Sequence, residues 1–111
     1  METWIQIGRV EDIPRKGARV VTTGEGNIGI FRTADDEIFA LRDSCPHKGG
    51  PLSQGIVHGK TVSCPLHDWK IQLESGEAVA PDEGCTAVYQ VRVEKGSIQL
   101  LLKQPGIAIA S

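Results

Sequence analysis

Short apolar stretches rich in Val and Ile recur along nearly the whole chain, and none keeps helical spacing over ten residues with caps at its ends. The stretches 4–7, 18–22, 28–32, 38–42, 61–63, 70–73, 87–93 and 97–102 read as strands. Between them stand PRKG, GEGN, ADDE, ESGE and EKGS, each offering the Gly, Asp, Asn or Ser that tight turns favour. The pattern predicts an all-β chain of antiparallel hairpins, a small sandwich or partial barrel. No internal repeat, low-complexity segment or linker interrupts it.

Composition bounds this picture. A chain of 111 residues, 40% hydrophobic and 23% charged, with 13 glycines and 6 prolines, is long enough for one core and too short for two ordinary domains. A formal net charge of -2 and the lack of any five-residue run of Lys and Arg argue against a nucleic-acid partner. The opening METWIQIGRV reads as a first strand and not as a leader peptide, and no apolar run approaches the roughly 18 residues of a membrane span. A soluble cytoplasmic protein with no membrane partner is expected. Three cysteines is an odd count, and in a cytoplasmic setting thiols stay reduced or bind metal.

One motif is set aside. Gly24, Gly26 and Gly29 satisfy G-x-G-x-x-G, but a dinucleotide loop needs a helix whose N-terminal amides hold the pyrophosphate. The residues that follow, IFRTADDE, read as a strand and another turn, so the glycines belong to a hairpin.

The chemistry lies in two phrases that rhyme: Cys45-Pro-His47, and Cys64-Pro-Leu-His67. Taken singly, each cysteine reads as a small core residue and each histidine as a surface group. Four together in matched order, beside turn-forming Pro and Gly, form the pattern of metal ligands presented on loops. A zinc finger usually supplies Cys with Cys and His with His, whereas here each loop supplies one of each. Such mixed pairs suit two adjacent ions, one held by thiolates and one by imidazoles. C-x-H followed by C-x-x-H resembles the Rieske family, which implies a 2Fe-2S cluster held by Cys45, His47, Cys64 and His67. A structural zinc site remains the alternative. The resemblance implies a Rieske-type β-sandwich over residues 1–103 with two cluster-binding loops, followed by a tail at 104–111.

Family members of the respiratory cytochrome complexes carry an extra, bridged cysteine in each loop. In this chain Leu66 stands just before His67 and Gly50 three residues after His47, so no bridge forms, and the resemblance is to soluble, low-potential ferredoxin-like modules. More narrowly, GGPLSQG, CPLHDW and PDEGC resemble the small subunit of bacterial NAD(P)H-dependent nitrite reductase, a likeness running from Trp4 to about Leu102. That resemblance implies a redox subunit whose partner is a large flavin- and sirohaem-containing subunit that reduces nitrite to ammonium. A free Rieske ferredoxin feeding an aromatic-ring oxygenase is the second implied role. The chain itself shows no flavin site and no second ligand set, so no complete active site is expected on it.

Around the quartet, Trp69 is placed to cover the site or to fill the core, and Asp68 to tune the neighbouring imidazole. His58 lacks a partner cysteine and reads as a turn residue, and Cys85 as a leftover thiol.

Overall fold

Ile28 and Ile30 pack into one cluster of buried residues while Phe31, next in the chain, packs into another, so a single strand serves two cores. In the computed structural model, which describes residues 3–24, 26–45, 50–65, 69–80 and 83–102, that strand lies in the middle of the molecule. Ten strands run through these residues: β1 (Thr3–Arg9), β2 (Ala18–Thr23), β3 (Gly26–Arg32), β4 (Ile38–Arg42), β5 (Ile56–His58), β6 (Thr61–Ser63), β7 (Lys70–Gln72), β8 (Val88–Tyr89), β9 (Val91–Glu94) and β10 (Ser97–Leu102). The helical pieces among the described residues are two single 3-10 turns, Val10–Asp12 and Leu52–Gln54. The expected tail 104–111 and Lys103 lie outside the described residues, as do 1–2, 25, 46–49, 66–68 and 81–82.

The strands form three antiparallel sheets, β1-β10-β9, β2-β3-β4-β8 and β5-β6-β7. Alternation along a strand sends successive side chains to opposite faces. From the four-stranded sheet Val21, Ile28, Ile30, Ile38 and Ala40 meet Ile98, Leu100 and Leu102 of the first sheet. Its other face gives Phe31, Leu41 and half-buried Phe39 to Val57, Val62 and Ile71 of the third and to Leu73 just past β7. The central sheet is therefore covered on both sides, which explains why Ile28 through Phe31 are buried without a break. This is the expected antiparallel β-sandwich.

Glycine and charge finish the frame. The ring of Phe31 lies over Gly29, where an added Cβ would come within 2.9 Å of it, so only a glycine leaves the ring its place. Gly26 pairs with Thr23 at the head of the β2–β3 hairpin, so the G-x-G-x-x-G glycines are hairpin residues as expected. In the β3–β4 turn Asp36 adopts a positive φ of 65° and its Oδ1 accepts from Arg15 Nε (2.9 Å) and Arg32 Nη2 (2.7 Å). Arg32 also donates to the carbonyls of Val10 and Ile13, fastening the first 3-10 turn to the central sheet. At the far side the Arg92 guanidinium lies 4.4 Å above the Trp4 ring, joining β9 to β1 across β10.

Two features differ from the sequence pattern. The stretch 87–93 divides at Gln90: β8 pairs with β4, β9 pairs with β10, and the Gln90 carbonyl accepts the Leu101 amide at 3.0 Å. The chain stays extended through the change of partner, and an apolar pattern records extension and not pairing. Strand β5 was not anticipated. Three residues between Gly55 and Gly59 are too few for periodicity to register, and pairing with β6 makes them a strand.

Candidate metal centre

The first loop grows out of β4. Past Arg42 the Asp43 amide donates to the Asn27 carbonyl (2.9 Å), and Cys45 turns inward with 2% of its surface exposed. Its amide donates to the Gly50 carbonyl at 2.8 Å, which closes the loop at its neck. The chain then passes Pro51 into the 3-10 turn Leu52–Gln54, whose Leu52 is fully buried. The second loop joins β6 to β7, where Ser63 pairs with Lys70 and Cys64, 3% exposed, donates its amide to the Trp69 carbonyl at 2.6 Å. In both loops the cysteine amide thus reaches the carbonyl five positions on, 45 to 50 and 64 to 69. The rhyme in the sequence is matched by the same amide-to-carbonyl bond at the two loop necks.

Both thiols belong to the same buried cluster, with Phe31, Leu41, Leu52, Val57, Val62, Ile71 and Leu73. Buried cysteine is ordinary, but two at the necks of two similarly closed loops, in one apolar setting, offer soft sulfur donors screened from water. The thiolate half of the predicted set therefore fits an iron-sulfur cluster. His47 and His67 lie outside the described residues, as does Asp68. Trp69 is half-buried against the same cluster, so its side chain supports the core beside the loop.

The other flagged residues take no part among the described contacts of these loops. His58 is exposed at the end of β5, its carbonyl accepting the Thr61 hydroxyl at 2.8 Å. Cys85 is exposed and bridges Glu77 in backbone pairing. Lys60, in the β5–β6 turn, bonds Glu74 (3.0 Å) and faces Glu37 (3.6 Å); the Glu74 bond first, then the Glu37 charge, pushes its pKa up. These exposed pairs orient the hairpin and contribute little stability.

Sequence reasoning passed over Asp43 and Ser53. Asp43 Oδ1 accepts the Ser53 amide at 2.7 Å and Oδ2 accepts its hydroxyl at 2.8 Å, tying together the two ends of the first loop. The signal was faint: Asp and Ser beside loops commonly bond to nearby backbone, but a partner ten positions away is not legible in one sequence.

A family model, the Rieske [2Fe-2S] domain, matches residues 3–90. The chain belongs to that family. The cofactor of a Rieske domain is a 2Fe-2S cluster with mixed Cys and His ligation, so the zinc alternative is set aside. The chain is 31% identical over 98 residues to the anthranilate 1,2-dioxygenase ferredoxin subunit of Burkholderia cepacia, covering 87% of this chain and 90% of that one. Two further relatives, the 4beta-methylsterol monooxygenase of Methylococcus capsulatus and the chloroplastic Protein TIC 55 of Pisum sativum, are far longer, and the match spans 15% and 19% of their lengths. Among solved structures, the E. coli protein NirD is 25% identical with a TM-score of 0.80, covering 94% of this chain and all of that one. A Mycobacterium tuberculosis protein, provisionally described as an NADH-dependent nitrite reductase small subunit, shares the fold with a TM-score of 0.82 at 22% identity, over 92% and 96% of the two chains. Among the described residues no helix is long and apolar enough to cross a membrane. As a Rieske domain the chain is an electron-transfer module.

Proposed function

We propose that Cys45, His47, Cys64 and His67 hold the cluster, and that the chain is the electron-transfer small subunit of a cytoplasmic NAD(P)H-dependent nitrite reductase. The observation that carries the ligand assignment is the matched pair of loops, each closed by a cysteine amide and each delivering its thiol into one buried cluster. When bound, the cluster supplies a single-electron redox couple. This chain's own residues seat the sulfurs in an apolar setting and close the two loop necks.

For the partner, support comes from the phrases GGPLSQG, CPLHDW and PDEGC together with the end-to-end likeness to NirD. The partner is then a large subunit carrying flavin and sirohaem, at which nitrite is reduced to ammonium. A second reading has its own support: the 31% identity to a dioxygenase ferredoxin subunit, over nearly the whole length of both chains, favours a free ferredoxin that donates to a ring oxygenase.

Purified protein should show visible Rieske absorption with two irons and two acid-labile sulfides per chain, and His67→Ala should lose the native centre while its β-sheet circular dichroism persists. Normal cluster content in that variant would refute the ligand set. Pull-down from cell extract should bring a sirohaem protein whose NAD(P)H-dependent nitrite reduction requires this chain; recovery of an oxygenase that the reduced chain supports would favour the second reading.

A further inference from the structure

The two loops close alike but are anchored differently. The Cys64 loop is the tip of a hairpin, and the β6–β7 ladder, Ser63 to Lys70 and Val62 to Ile71, holds both of its ends. The Cys45 loop has no ladder beneath it. It leaves β4 at Arg42 and returns through the 3-10 turn Leu52–Gln54, and β4's two partners are β3 and β8. Among the described residues, its ends are held by the Cys45–Gly50 backbone bond at the neck and, at the base, by the Asp43 side chain, which accepts both the amide and the hydroxyl of Ser53. Asp43 is itself set by its amide bond to Asn27 on β3, and Ser53 by its neighbour Leu52, fully buried in the cluster that contains both thiols. Hydrogen bonds to a carboxylate are stronger than those between neutral groups, and these are part-buried.

We propose that Asp43 is a positioning residue for the 2Fe-2S cluster: through Ser53 it latches the Cys45 loop, doing for that loop what the β6–β7 ladder does for the other. The proposal rests on Cys45 being a ligand. A loop that must be ordered when the cluster binds spends part of the binding free energy on its own lost entropy, and a loop already closed does not. Removing the latch leaves every candidate ligand in place but lets the Cys45 loop open, so the cluster escapes faster.

The test uses the full chain in cluster-loaded and metal-free forms. Under challenge with an iron chelator, Asp43→Ala, which removes both bonds to Ser53, should lose its cluster at least about tenfold faster than wild type, tenfold being the scale of a single charge-assisted bond. Asp43→Asn should recover a large part of the retention, because its amide oxygen can accept the Ser53 amide while its NH2 donates to the hydroxyl, without the charge that strengthens both bonds. Ser53→Ala, which keeps only the amide bond, should fall between. In the metal-free protein, amide exchange at Cys45 should quicken in Asp43→Ala while exchange at Cys64 stays unchanged, a contrast that general loss of stability would not produce. Wild-type cluster retention in Asp43→Ala, or an Asn variant as leaky as the Ala variant, overturns the latch. If Asp43→Ala does not fold, wild-type retention in Ser53→Ala overturns it equally. A Cys45→Ser protein that kept the native EPR signal would overturn the ligand assignment instead, and the latch with it.

Discussion

Gly55 passes directly over the backbone of Ser63: a Cβ built on it would overlap the Ser63 carbonyl oxygen. The contact presses the exit of the second 3-10 turn onto the end of β6, one residue before Cys64. Gly55→Ala should therefore destabilise the protein by about 2–3 kcal/mol, the scale of forced overpacking against unyielding atoms. Urea unfolding measures it, and a variant as stable as wild type would show that β6 can move aside.

Acid should weaken the protein through Asp36. The hydrogen bonds from Arg15, then Arg32, hold its carboxyl down at about 2, from an ordinary 3.8. A folded value below the unfolded one means that the contribution is complete above pH 4 and fades as pH falls from about 4 toward 2. Asp36→Asn keeps a residue that tolerates the positive φ but removes the charge. Its unfolding free energy should vary less between pH 4 and 2 than that of wild type, and parallel profiles would exclude Asp36 as the group responsible.

Phe31 is the largest fully buried side chain and sits in the cluster that receives both thiols. Phe31→Ala should cost about 3–5 kcal/mol, because Gly29 beneath the ring has no side chain with which to fill the space. A loss below 1 kcal/mol, seen by denaturant titration, would mean that the surroundings collapse into the vacancy.

Stripping the iron should affect one side of the central sheet more than the other. The cluster of buried residues formed with β1 and β10 contains neither cysteine, whereas the one formed with β5, β6 and β7 contains both. After acid and chelator treatment, amide exchange should quicken in β5–β7 while β1 and β10 keep their protection. Uniform quickening would mean that the iron site supports the whole sandwich.

Much of this was written in local pattern. The strands 18–22, 28–32, 38–42 and 97–102 reappear with nearly their predicted ends, because alternation and turn residues act over a few positions. The Cys45 and Cys64 phrases pointed to metal ligands on two loops; family membership supplies a 2Fe-2S cluster, and the assignment of these residues to it is the proposal made above. What escaped depends on distant pairing: the Asp43–Ser53 tie, the change of sheet at Gln90 and the fit of Gly55 over Ser63. Each joins residues from separate elements, and a single sequence carries no periodicity for that. The proposed nitrite reductase partner rests on wording in the sequence and on whole-chain likeness, since partner choice is a property of surfaces and not of ligand spacing.

The chain's two tryptophans stand in different parts of this frame, Trp4 in the outer sheet beneath Arg92 and Trp69 at the neck of the second loop. Each carries its own fluorophore environment, one beneath a guanidinium in the β1-β10-β9 sheet, the other packed against the cluster that holds both thiols. Replacing either by Phe leaves a single tryptophan, so the filling of the proposed iron site and the integrity of the opposite sheet become two separate optical signals from an unlabelled protein.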